Sequence, residues 1–166
     1  MQELKLNLNK EKNEMCISFK LEKDENKVEI FSEITRFYDW GEFQKNLLDA
    51  FYFYLNNHSF SEFEIANDKN TYHIILTMDN IIVVSDKYDE NDSFVSSTIN
   101  RFSDYDCWQF IKDIILDFEK EKEKWNKYIE LCILNTEDRR KMKNKIEKKV
   151  KKIKKLLGTF PIYELS

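Results

Sequence analysis

The sequence predicts an α+β protein: an antiparallel sheet of about five to seven strands with one inserted helix, followed by a C-terminal helical hairpin. Three observations carry that prediction. Apolar and polar residues alternate through residues 4–34 and again from 60 to about 102, which is the period of a half-buried strand. Apolar residues recur at spacings of three and four over 39–57 and from about 104 onward, which is the period of a helix. Hydrophobic residues are 42% and aromatics 14% of the chain, enough to build a packed core despite 35% charged residues. With 166 residues the expectation is one domain, a sheet body over 1–103 with its helix at 39–57, joined to a helical part over 104–166.

Taken in order, Leu4, Leu6 and Leu8 face Met15, Ile17, Phe19 and Leu21 across a polar stretch and read as a hairpin. Val28, Ile30 and Ile34 extend it to a third strand over about 27–37. At Asp39 the period changes, and Trp40, Phe43, Leu47, Phe51 and Tyr54 mark one helix face. Asp39 with Glu42 has the capping-box spacing, so each side chain is placed to satisfy a free backbone N–H. Of the aromatic run at 51–54, Phe51 and Tyr54 belong to the buried face, and Tyr52 and Phe53 are expected under the sheet.

A second strand group follows at 60–65, 72–78 and 81–85, with Asp79-Asn80 as the tight turn. Ile81 to Val84 is apolar on both faces, which predicts a central strand covered on both sides. The segment from Ser93 to Phe102 is a further strand or an irregular crossing. From Asp104 the helical pattern runs for some 30 residues through Trp108, Ile111, Ile115, Phe118, Trp125, Ile129 and Cys132. Its middle, residues 119–124, alternates Glu and Lys and predicts a projecting arm. A last helix is expected from an N-cap at Thr136 to a stop at Gly158, with Phe160 to Tyr163 docking back on the body as an extended strand.

Several functional classes are excluded by counting. Gly41 and Gly158 are the two glycines, followed by Glu42 and Thr159, so there is no P-loop, no Rossmann fingerprint and no Gly-x-Ser-x-Gly elbow. Cys16, Cys107 and Cys132 are odd in number and far apart, which reads as buried reduced thiols in a cytoplasmic protein. The start lacks an apolar signal region, and the longest aliphatic stretch, residues 81–84, is far short of a membrane span. His58, His73 and the cysteines show no ligand spacing, so no metal or cofactor is expected. Counted from Asp86, the sixth and twelfth places of a calcium loop fall on Asn91 and Ser97, where Gly and Glu are required.

Charge is the most informative feature. Residues 1–136 hold 16 Lys and Arg against 27 Asp and Glu, a net −11. Residues 137–166 hold 11 against 4, a net +7. Such asymmetry concerns partners or self-pairing. The acidic part concentrates in a loop with Asp86, Tyr88, Asp89, Glu90 and Asp92, the pattern with which a protein meets a basic partner. In the basic helix, Arg139, Arg140, Lys145, Lys148, Lys149, Lys152 and Lys155 surround an apolar seam of Met142, Ile146, Val150, Ile153 and Leu157. That helix is expected to fold back on the preceding one, its lysines against Asp113, Asp117, Glu119, Glu121 and Glu123, or to pair between two chains.

The functional expectation is therefore a non-catalytic cytoplasmic binding protein, an acidic inhibitor or toxin-immunity type that occludes a basic protein partner. The alternatives are a nucleic-acid-associated protein gripping phosphates through 137–157, and a homodimer or larger assembly joined through the 142–157 seam.

Overall fold

A computed structural model describes residues 2–9, 14–34, 42–57 and 60–159. The first three strands are β1 (Gln2–Asn9), β2 (Glu14–Lys23) and β3 (Asn26–Ile34), an antiparallel meander. Leu6 lies opposite Ile17, and Phe19 opposite Ile30, so one face of this sheet is continuously apolar. Asp24 takes a positive φ of 55° in the tight β2–β3 turn, a conformation that Asp tolerates better than most residues.

Helix α1 (Glu42–Asn57) then leads into β4 (Ser61–Ala66), β5 (Asn70–Leu76), β6 (Asn80–Tyr88) and β7 (Phe94–Ser103). These four strands form a second antiparallel meander. Among the described residues seven strands form two antiparallel sheets, of three and four strands, and not the single sheet of about five to seven expected. The sheets meet through side chains instead of a ladder: Lys23 Nζ donates to the carbonyls of Ser103 and Asp104, and Asn26 to that of Arg101. At the other end of β3, Ser32 Oγ donates to Ala66 O.

The helical part departs further from expectation. The run from 104 is two helices, α2 (Cys107–Lys120) and α3 (Lys122–Cys132), broken at Glu121. One straight helix of 26 residues would be about 39 Å long and would overshoot strands of eight to ten residues. The break returns α3 to β1 and β2, with Trp125, Tyr128 and Ile129 fully buried, so no arm projects. Asp106 caps α2 by accepting from the Gln109 N–H at 2.9 Å.

Helix α4 (Thr136–Thr159) lies chiefly against α1 and only secondarily against α2 and α3, so the predicted hairpin with the preceding helix is a minor contact. Ile146, Val150 and Ile153 of the seam are buried there, with Met142 and Leu157 half-buried at its ends. The seam is thus covered within the chain. The cap is Asn135 and not Thr136, because Asn135 Oδ1 accepts from the N–H groups of Glu137 and Asp138 at 2.9 and 3.1 Å. Gly158 lies inside α4 and does not stop it.

A single apolar cluster joins both sheets and all four helices. At its centre four phenylalanines close a ring of edge-to-face contacts. Phe19 of β2 meets Phe63 of β4 at 6.4 Å and Phe110 of α2 at 6.3 Å, and Phe51 of α1 meets the same two at 5.9 and 6.1 Å. Tyr54 ties α1 to the β5–β6 turn by donating to Thr77 O at 2.8 Å. That turn has Met78-Asp79 at its tip, one residue earlier than expected, with Thr77 N–H bonded to Asn80 O. Tyr52 is covered by Lys149 of α4 and not by a sheet, and Phe53 is exposed. The expected cap at Asp39, and Trp40, His58 and the docking of 160–163, lie outside the described residues.

Candidate protein-binding face

The register of the second sheet sorts its side chains onto two faces. Phe63, Ile74 and Val83 lie in one cross-strand row, and Leu76, Ile81 and Phe102 in the next, all turned into the core. The opposite face carries the row Glu62, Ile75, Ile82, Arg101 and the row Glu64, His73, Val84, Ile99. Nothing among the described residues covers this face at its β7 side. Ile75, Ile82 and Val84 are half-buried, and Ile99 is 70% exposed. The expectation that Ile81 to Val84 is covered on both sides is therefore corrected: Ile81 and Val83 are buried, whereas Ile82 and Val84 form the centre of an open face.

Carboxylates border that apolar centre. His73 Nδ1 lies 2.7 Å from Glu62 and 3.8 Å from Glu64, and its Nε2 lies 3.4 Å from Asp86. Asp86 also accepts from Ser97 Oγ at 2.7 Å. One imidazole facing three carboxylates leaves the patch negative in either protonation state. Among the described residues no group of His, Cys, Asp and Glu is arranged to hold a metal ion.

Beyond Asp86, β5 stays paired with β6 as far as Lys87, and β6 and β7 end in the turn over 89–93. Phe94 to Ile99 are all exposed, and the tip is closed by an edge-to-face pair of Tyr88 and Phe94 with centroids 6.2 Å apart. The acidic loop predicted from sequence is this tip. Its members have different duties. Asp89 shapes the turn, its side chain accepting from the N–H groups of Asn91 and Ser93 at 2.8 and 3.0 Å. Asp92 sits at a φ of 57°. The carboxylates of Glu90 and Asp92 stand out in solvent. The structure thus brings Asp86, Tyr88, Glu90 and Asp92 to one end of a larger surface, to which it adds Glu62, Glu64, Ile75, Ile82, Val84 and Ile99.

No family model, no curated protein and no solved structure matches the chain. The reading of this surface therefore rests on its own geometry.

The added residues were readable in principle. Glu62 and Glu64 alternate with Phe63 and Ile65, which marks the outward side of β4 as wet, and every cross-strand neighbour on that side shares its exposure. Other polar clusters are internally satisfied. An open depression of about 510 Å³ is lined by Gln2, Lys23, Tyr105, Asp106, Gln109 and Asp113, among others. There Gln2 donates to Asp113 at 2.8 Å and accepts from Tyr105 Oη at 2.7 Å, and Gln109 donates to Asp113 at 2.7 Å. Burial pushes the Tyr105 hydroxyl up to about 12 and the Cys107 thiol up to about 11, so neither is an available nucleophile near neutral pH. All three cysteines are buried and none is in a disulfide. Among the described residues no helix is long and apolar enough to cross a membrane.

The basic helix is divided by its contacts. Arg139 donates to the carbonyls of Glu130 and Ile133, and Arg140 pairs with Glu137. Lys143 pairs with Glu130 at 3.0 Å and Lys154 with Glu119. Lys149 pairs with Asp49 at 3.1 Å and lies 4.6 Å from the Tyr52 ring centre. Of the five acids expected opposite these lysines only Glu119 takes an α4 partner; Glu121 pairs with Lys124, and Asp113 bonds to Gln2 and Gln109. Lys145, Lys148, Lys152 and Lys155 are exposed and make no ion pair among the described residues.

Proposed function

We propose that the chain is a non-catalytic cytoplasmic binding protein of the acidic inhibitor or immunity type, which occludes a basic protein partner. The observation that carries this reading is the open face of the second sheet, where an apolar centre of Ile75, Ile82, Val84 and Ile99 is bordered by Glu62, Glu64 and Asp86 against one cation, Arg101, with Glu90 and Asp92 beyond it. Protein interfaces combine a desolvated apolar core with a polar rim, and a rim with a net charge of one sign favours a partner of the other. A rim carboxylate steers encounter and acts on the association rate, whereas the apolar centre acts on dissociation. The β6–β7 turn adds aromatic area at Tyr88 and Phe94, the residue type that anchors interfaces.

The test begins with capture of basic proteins from lysate and proceeds to kinetics of the captured protein with two variants. Glu62→Lys combined with Glu90→Lys and Asp92→Lys is expected to slow association about tenfold or more at low salt, the difference shrinking as salt rises. Ile99→Asp is expected to speed dissociation and leave the salt dependence unchanged. Equal rates for both variants and the unaltered protein would refute the face as the binding surface.

A further inference from the structure

Helix α4 carries 11 Lys and Arg against 3 Asp and Glu, and its packing sorts these charges. At about 100° per residue, the buried seam of Ile146, Val150 and Ile153 marks one side of the helix. Lys141, Lys145, Lys148, Lys152 and Lys155 fall at steps of four, three, four and three on the side turned away from it, within an arc of about 80°. All five are exposed, and none makes an ion pair among the described residues. The other cations of the helix are differently placed: Arg139, Arg140, Lys143, Lys149 and Lys154 are held by internal partners, and Lys151 flanks Glu147. The three acids do not compensate the stripe, since Glu137 pairs with Arg140, Glu147 pairs with Lys122, and Asp138 stands in the first turn. Of the cations expected around the seam, Arg139, Arg140 and Lys149 are held by internal partners and lie outside the stripe.

We propose that this five-lysine stripe binds the phosphodiester backbone of nucleic acid without reading its sequence. From Lys141 to Lys155 the stripe runs about 21 Å along a straight rod. Duplex DNA presents one negative charge per about 1.7 Å of axis, so that length offers more phosphates than the lysines need. A single row of point charges fits a linear polyanion. A membrane surface is the poorer match, because a helix lying in lipid inserts its apolar face, and the apolar face of α4 is occupied by α1. Base reading is absent for a chemical reason: the stripe has neither the Arg fork that recognises guanine nor an Asn or Gln pair for adenine. The body carboxylates that pair with the helix, Asp49, Glu119 and Glu130, are held by Lys149, Lys154 and Lys143 on its flanks and not by the stripe. The inference is independent of the acidic sheet face, which uses other residues.

The experiment is fluorescence anisotropy of a labelled 20-base-pair DNA duplex titrated with the full chain, over salt from about 50 to 200 mM. With five phosphates neutralised, the slope of log affinity against log salt is expected near about −4.5, an affinity loss of about 500-fold over that range. Lys145→Glu with Lys148→Glu and Lys152→Glu is expected to abolish binding at the lower salt without changing thermal unfolding, since none of the three is packed. Lys154→Gln, which removes an internally paired lysine, is expected to stay within about twofold of the unaltered protein. Equal affinity for duplexes of unrelated sequence supports the absence of base reading. A slope shallower than about −2, retained binding by the triple variant, or a Lys154→Gln loss equal to that of the triple variant overturns the proposal. So does tighter binding to phosphatidylserine vesicles than to the duplex at the same salt, which would assign the stripe to a membrane surface. Glu90→Lys leaves the result unchanged if the two surfaces are separate.

Discussion

The phenylalanine ring makes a quantitative claim about what holds the two sheets and two of the helices together. Phe51 is fully buried and takes part in two of the four edge-to-face contacts, with Phe63 at 5.9 Å and Phe110 at 6.1 Å. Phe51→Leu keeps most of the apolar volume and removes both ring contacts. Each such pair contributes about 0.5–1.5 kcal/mol beyond its buried area, so the two together account for about 1–3 kcal/mol. Repacking around a shape change adds up to about 1.5 kcal/mol, so the expected loss is about 1–4.5 kcal/mol, against about 3–5 kcal/mol for Phe51→Ala. The assay is urea unfolding followed by both far-UV circular dichroism and tryptophan fluorescence, whose coincident transitions justify a two-state treatment.

The ring itself is tested by double-mutant cycles. Leu substitutions at Phe51 and Phe110, which are neighbours, should couple by about 0.5–1.5 kcal/mol, whereas Phe51 and Phe19, at opposite corners, should be nearly additive. Coupling across the diagonal as large as along the sides would show that general core relaxation, not ring geometry, sets the energies. A Phe51→Leu loss below about 0.5 kcal/mol would refute the reasoning outright.

Two further expectations follow from single side chains. The folded state holds the Cys107 proton up to about 11, above the thiol's ordinary value of 9.0, because burial disfavours the thiolate. Stability from this group is thus fully present below about pH 9 and is lost as pH rises toward 11, by at most about 2–3 kcal/mol. Cys107→Ala should flatten that part of the stability–pH curve, and an unchanged curve would remove the thiol as its cause. Asn135→Ala deletes the acceptor for two N–H groups at the start of α4 and should cost about 0.5–2 kcal/mol by urea unfolding. A matching Thr136→Ala change should be nearly neutral, and the reverse order would restore Thr136 as the cap.

How much of this was written in the residues depends on the range of the interaction. Alternation at Leu4 to Leu21 and at Phe60 to Phe102 placed the strands because the two faces differ in polarity at every step. The Phe43, Leu47, Phe51 series placed α1 for the same reason. The break at Glu121 was not legible, since the surrounding Glu and Lys all favour helix; it is imposed by the length of the sheet on which α2 and α3 lie. The choice of α1 as the main partner of α4 was equally hidden, because an apolar seam does not specify which groove receives it. The binding face was half legible. Its acidic tip showed as a charge cluster, but Ile82 and Val84 share a run with Ile81 and Val83, and only the cross-strand register separates the core side from the open side.

The outer edge of β7 has a consequence for the protein at high concentration. Arg101 and Ser103 have their carbonyls occupied by Asn26 and Lys23, but the segment 94–100 adds a β-favouring, uncharged stretch with Phe94, Val95 and Ile99 exposed and no proline. Such a segment is a template for strand addition between molecules. Its protection is electrostatic and lies at its ends, with Asp89, Glu90 and Asp92 before it and Arg101 after it, acting as gatekeepers. Colloidal stability of this molecule is therefore tied to ionic strength: salt that screens these end charges lowers the barrier that keeps one β7 from pairing with another.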